Sequence, residues 1–132
     1  LKIKENLAKQ IPTIGTWVQI PNQNSAEILS SSDEFEWVCI DLEHSAISIE
    51  TCESLIRAIE RAGSVPIVRL TSNDSNLIKR VMDSGALGII VPMICGYESI
   101  RDASNAMHYP PRGTRGVGSE ISASIVFLVC ST

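Results

Sequence analysis

Apolar positions along this chain follow two rhythms. Short apolar runs fall at Ile14–Ile20, Phe35–Asp41, Ser64–Leu70 and Ala86–Val91, each closed by turn-forming residues. Runs of four to eight residues rich in Val, Ile and Trp predict strands, and near-continuous apolarity predicts burial on both faces. Between them, apolar residues recur every three or four positions. Ile49, Cys52, Leu55, Ile56, Ile59 and Ala62 form one such stripe, and Leu77, Ile78, Val81 and Met82 form another. That spacing predicts amphipathic helices with one buried face.

Residue chemistry at the boundaries supports the division. Residues 1–10 read as a short helix closed by Pro12, and Asn24-Ser25 as the cap of a second, with Glu27 in its first turn. Ser48 is placed to cap the third helix and Gly63 to stop it; Asn73 or Asp74 caps the fourth, which ends by Gly85. A last helix is predicted over Glu98–Met107, followed by a turn-rich loop, Tyr109–Gly116. Ile125–Cys130 has the composition of a fifth strand.

A strand-helix unit repeated four times predicts an α/β fold with a parallel sheet. The polar residues that interrupt the apolar runs are Gln19, then Asp41, Glu43 and His44, then Arg69. All fall at C-terminal strand ends, where parallel α/β folds bind ligands. A carboxylate beside a histidine fixes its tautomer and raises its basicity, which suits proton transfer near neutral pH. The competing reading is that Asp41, Glu43 and His44 cap the next helix and face water. Glu43 fits a structural role as well as a site role.

Composition narrows the field. With 132 residues, 44% hydrophobic and net charge −4, the chain has the make-up of one globular domain and lacks a basic face for nucleic acid. No apolar run approaches the ~18 residues of a membrane span, and no basic-then-apolar leader is seen. Cys39, Cys52, Cys95 and Cys130 lack metal-site spacing and read as reduced thiols, so a cytoplasmic setting is expected. The chain begins at Leu1 rather than Met, which hints that its amino end is incomplete.

The segments Gly15-Thr-Trp17, Trp37-Val-Cys-Ile-Asp-Leu-Glu-His44, Pro66-Ile-Val-Arg69, Asn73-Asp74, Ile78-Lys79, Asp83-x-Gly85-Ala86, Val91-Pro-Met93 and Tyr109-Pro-Pro-x-Gly-x-Arg-Gly116 occur in that order. Together they resemble the HpcH/HpaI family of class II pyruvate aldolases, over roughly residues 10–118. The resemblance implies a TIM (β/α)8 barrel, a fold of ~250 residues, of which this chain would supply the amino-terminal half, about four βα units. It implies a lyase that cleaves 4-hydroxy-2-oxo acids to pyruvate and an aldehyde, and a homo-oligomer. It also implies a divalent metal, Mg²⁺, Mn²⁺ or Co²⁺, as the Lewis acid that stabilises an enolate. Arg69 matches the arginine that contacts the 2-oxo acid, and His44 the histidine that moves the hydroxyl proton. Asp41 and Asp83 match acids in that histidine's network, Asp83 from a neighbouring subunit in oligomers. His108 stands where many relatives have arginine.

The bland alternatives are plain. Arg69 could be a surface ion-pair partner, Asp83 a solvated helix end, and Arg115 a brace for its loop. The family's metal-ligating Glu and Asp would lie on later strands, so no metal ligand is expected within this chain. Residues 1–118 are expected to form the partial aldolase domain. Residues 119–132 read as an apolar tail that does not match the family, as a truncated, frameshifted or partial product would show. The rival readings are a lyase acting on acyl-CoA or citryl substrates and a non-catalytic remnant that associates with an intact partner. A flavodoxin-like module is disfavoured, because no Gly-rich phosphate loop follows the first strand.

Overall fold

The computed structural model describes residues 2–116 and 125–127. In chain order the elements are α1 (Lys2–Ala8), β1 (Gly15–Val18), α2 (Gln23–Ser30), β2 (Trp37–Asp41), α3 (Ile49–Ala62), β3 (Val65–Arg69), α4 (Ser75–Asp83), β4 (Gly88–Ile90), α5 (Gly96–Met107) and β5 (Ile125–Phe127). The strands form one sheet in the order β1-β2-β3-β4-β5, every pair parallel. Sequential order is how a βα barrel is laid down; a doubly wound sheet would reverse direction at a switch point.

The local chemistry of the caps accounts for most boundaries. Ser48 caps α3 by accepting from the Thr51 N–H, and Asp74 caps α4 by accepting from Leu77 at 2.7 Å. Gly63 ends α3 at φ +105°, a left-handed conformation that costs a residue with a Cβ. One cap differs from expectation. Asn22, rather than Asn24-Ser25, caps α2, accepting from the Ser25 N–H at 3.2 Å. Pro21 lacks an N–H, so the chain turns there and the helix starts directly afterwards. Glu27 therefore lies beyond the first turn.

Strands β2 and β3 are buried on both faces, and alternate residues belong to the core beneath the helices. Val18, Val38, Ile40, Val68 and Ile89 join Cys52, Leu55, Ile56 and Ile59 of α3 and Ile78, Val81 and Met82 of α4 in one core between sheet and helices. Each such Leu or Ile contributes roughly 1.5–3 kcal/mol by leaving water. The intervening residues face the other way. The register puts Trp17 opposite Cys39, Cys39 opposite Ile67 and Asp41 opposite Arg69, which makes rows across that second face. Trp37 rests on Gly15 so closely that a Cβ there would meet its ring at 1.9 Å.

The expected fifth strand forms at Ile125–Phe127, paired with β4; residues 128–130 of that expectation lie outside the described residues.

Candidate active site

β2 and β3 end side by side, and their last residues, Asp41 and Arg69, are register partners. The ladder runs one step further through Leu42 N–H to the Arg69 carbonyl at 2.9 Å. Two opposite charges are thus fixed by backbone at the C-terminal edge of the sheet.

Asp41 is 1% exposed, yet its carboxylate is satisfied. Oδ1 accepts the backbone N–H groups of Glu43 and His44, each at 3.0 Å. Oδ2 accepts from Gln19 Nε2 at 2.8 Å and faces Arg69 Nη1 at 3.7 Å. Ser45 Oγ donates to the Asp41 carbonyl. Burial pushes the Asp41 carboxyl up, but the Gln19 amide, the two N–H groups and the Arg69 charge outweigh it and hold it below the ordinary range. Asp41 is therefore an ionised anchor that shapes the turn leading to His44.

Arg69 is the centre of the cluster. Its Nε lies 2.5 Å from Glu43 Oε2, and its guanidinium stands 5.7 Å from the centre of the Trp17 ring. The side chain keeps 24% of its surface open. Glu43 Oε2 is buried but lacks an aligned hydrogen bond, so its link to Arg69 is a charge contact. The same oxygen lies 3.7 Å from Nε2 of His44, whose side chain is 62% exposed. The carboxylate facing the imidazole is thus Glu43. Asp41 reaches His44 through its backbone N–H.

Asp83 is elsewhere. α4 runs away from the strand ends that carry Asp41 and Arg69, and Asp83 is its last residue. There it accepts from Arg115 Nη2 at 2.6 Å and Nε at 3.1 Å. Arg115 is 2% exposed, stacks 4.6 Å from the Tyr109 ring and donates to the Met107 carbonyl at 3.5 Å. Arg115 braces its loop, and within one chain Asp83 does not join the histidine. Gln19 was singled out from sequence as a polar strand end but not as a partner of Asp41, and Trp17 was not named as a partner of Arg69. Their signal is period two: both lie on the face that carries Cys39 and Asp41.

Among the described residues, no three His, Cys, Asp or Glu side chains are grouped to hold a metal ion. Asp41 and Glu43 are already engaged with Arg69, Gln19 and backbone.

A sequential parallel sheet with charged groups gathered at its C-terminal strand ends defines half of a (β/α)8 barrel with its site at the usual face. The chain belongs to the HpcH/HpaI aldolase/citrate lyase family, whose model matches residues 13–131 and so runs through β5. It is 39% identical over 119 residues to a 4-hydroxy-2-oxo-heptane-1,7-dioate aldolase of Salmonella arizonae, covering 90% of this chain and 45% of that protein. It is 36% identical to a 2-dehydro-3,6-dideoxy-6-sulfogluconate aldolase of Pseudomonas putida, over 89% of this chain and 46% of the relative. Among solved structures, the citrate synthase SbnG superposes with a TM-score of 0.84 at 32% identity, over 97% of this chain and 54% of its own. A family protein from Burkholderia cenocepacia superposes with a TM-score of 0.83 at 30% identity, over 91% and 49%. The chain spans about half the length of the curated relatives it matches.

Proposed function

We propose that these residues form the oxo-acid-binding and proton-moving half of a carbon-carbon lyase. The reaction is cleavage of a 4-hydroxy-2-oxo acid to pyruvate and an aldehyde, and its reverse. The observation that carries this reading is Arg69, a guanidinium held by Asp41 and Glu43 at the C-terminal strand ends with 24% of its side chain still open. A guanidinium stays ionised and presents fixed donors, which suits the carboxylate and keto oxygens of a 2-oxo acid. As the C3–C4 bond breaks, its electron pair moves onto C3 and the keto oxygen. Donors fixed at that oxygen stabilise the charge as it forms. His44 takes the proton from the C4 hydroxyl, and protonation of C3 completes pyruvate. Its exposed ring reaches the mouth from the turn that Asp41 pins. The names of the aldolase relatives support this substrate class.

The divalent cation that family membership suggests finds no fitting ligand set among the described residues. We assign its ligands to parts of the barrel outside this chain and derive no step through it. Asp83 enters the reading only through a second copy in a homo-oligomer, since in one chain it belongs to Arg115. The free thiols of the buried Cys39 and Cys52 suit the cytoplasm, and no described helix is long and apolar enough to cross a membrane. A second reading follows from the superposition on citrate synthase SbnG: the same cluster would hold the carboxylate of a citryl-type substrate.

The test joins residues 1–132 to the second half of a matched aldolase and follows pyruvate release from a 4-hydroxy-2-oxo acid in a coupled assay. His44→Ala should lower kcat, and Arg69→Ala should damage both KM and kcat. Formation of citrate by condensation of an acyl thioester with a four-carbon 2-oxo diacid, with release of the thiol and without pyruvate release, would favour the second reading. Full aldol activity in both variants would remove the mechanism. The 132 residues alone should show no appreciable turnover, because general base catalysis by itself contributes only ~10²–10⁴-fold.

A further inference from the structure

We infer that Gln19 is the positioning residue of this site, the amide that ties β1 to β2 across its mouth and fixes Asp41 as the shared acceptor behind both His44 and Arg69. Three observations carry it.

The first is geometric. Gln19 follows β1, whose last residue, Val18, is the register partner of Ile40, so that register carried one residue further sets Gln19 beside Asp41. The bond between them, 2.8 Å from Nε2 to Oδ2, is a side-chain link across 22 residues of sequence. The second is the division of labour on one carboxylate. Oδ1 is filled by the two backbone N–H groups that shape the 41–44 turn. Oδ2 alone looks towards Arg69, at 3.7 Å, and that is the oxygen Gln19 holds. Without the amide, the carboxylate can rotate about its Cβ–Cγ bond, and rotation disturbs both sets of contacts together. The third is exposure. Asp41 is 1% exposed, whereas Gln19 lies open at the strand end. An exposed polar residue would ordinarily hydrogen-bond to water, so ordering its long side chain onto a buried acid has an entropic cost that a passive surface glutamine would not bear.

The charged and titratable groups facing Asp41 are Arg69 from β3, Glu43 and His44 from the following turn, and Cys39 from its own strand. None of these is altered by substituting Gln19, so the amide's effect can be isolated. The consequence for catalysis rests on the lyase reading, but the positioning role does not.

The experiment uses the 132-residue chain labelled with ¹³C at aspartate Cγ. Its Asp41 carboxyl is titrated by NMR in the unsubstituted chain, in Gln19→Leu, in Gln19→Glu and in Gln23→Leu, an exposed control on α2. Gln19→Leu should move the Asp41 midpoint upward, towards the ordinary aspartate value, because a hydrogen bond to the charged form is lost. Gln19→Glu should move it upward too, because two carboxyls would then share the position. Gln23→Leu should leave it in place. In Gln19→Leu the fluorescence of Trp17 should also change as Arg69 shifts over its ring. An Asp41 midpoint unmoved in both Gln19 variants would overturn the inference. A midpoint that moves equally in Gln23→Leu would do so as well. Gln19→Glu preserves the length and polarity of the side chain and keeps the test decisive if the leucine variant folds poorly. Aspartate titration involves no substrate, so the lyase proposal and this one can fail separately.

Discussion

Among the described residues are two arginine-carboxylate-aromatic clusters, one at each end of the sheet, and they are built the opposite way round. At the C-terminal strand ends, Arg69 pairs with Asp41 and Glu43 beside Trp17, with the acid Asp41 buried and the arginine 24% open. At the end of α4, Arg115 pairs with Asp83 beside Tyr109; there the arginine side chain is 1% exposed and that of the acid 25%. Identical ingredients therefore serve different ends. A buried acid behind an open guanidinium leaves donors free for a ligand. A buried guanidinium, bonded to Asp83 and the Met107 carbonyl and stacked on Tyr109, is occupied on every side the chain offers. Which partner is buried separates a site from a brace.

On stability, the brace should matter most. Arg115→Ala should lower the unfolding free energy by about 2–3 kcal/mol, read by urea denaturation, because it strips a buried carbonyl and an acid of their donors. The figure sits below that for a fully buried pair because Asp83 is partly open to water. A loss as small as that of a surface pair would break the contrast between the clusters.

Asp41→Ala should cost about 2 kcal/mol, since the N–H groups of Glu43 and His44 lose their acceptor. Asp41 also gives this end a pH signature. Its carboxyl titrates below the ordinary range in the fold, so it contributes stability that is fully present above the unfolded value of about 3.9. That contribution should be lost as pH falls from there through the folded value. Urea midpoints measured at descending pH should show this loss in the unsubstituted chain, and a smaller one in Asp41→Asn.

Arg69→Ala should change stability by less than about 1 kcal/mol, because Asp41 keeps three other donors and Glu43 gains water in the space the partly solvated side chain leaves. Glu53→Ala, which breaks the exposed pair with Arg57 on α3, should change it by less than about 0.5 kcal/mol. That substitution sets the floor against which the other values are read.

Much of this arrangement was legible in the sequence, for reasons that are local. Apolar runs set β1 to β4, Ser48 and Gly63 announced their helix ends, Asn73-Asp74 narrowed another to two residues, and the polar strand ends pointed to one face. What was not legible depends on pairing across space. Asp83 and Arg115 are 32 residues apart, and nothing near Asp83 in the chain shows that an arginine waits below α4. The Gln19–Asp41 bond needs the β1–β2 register, which no residue specifies alone. The choice of Asn22 over Asn24-Ser25 as a cap turned on Pro21, because all three are good capping residues.

Whether the open arginine serves the reaction can be decided by one pair of numbers. They are kcat/KM for pyruvate release and the urea midpoint, measured on Arg69→Ala in the barrel completed with an aldolase's second half. In this variant kcat/KM should fall by about 10²–10³-fold, the scale of losing a fixed donor at a developing oxyanion, while the midpoint barely moves. Unchanged kcat/KM with a lowered midpoint would contradict it, and would make Arg69 a second brace.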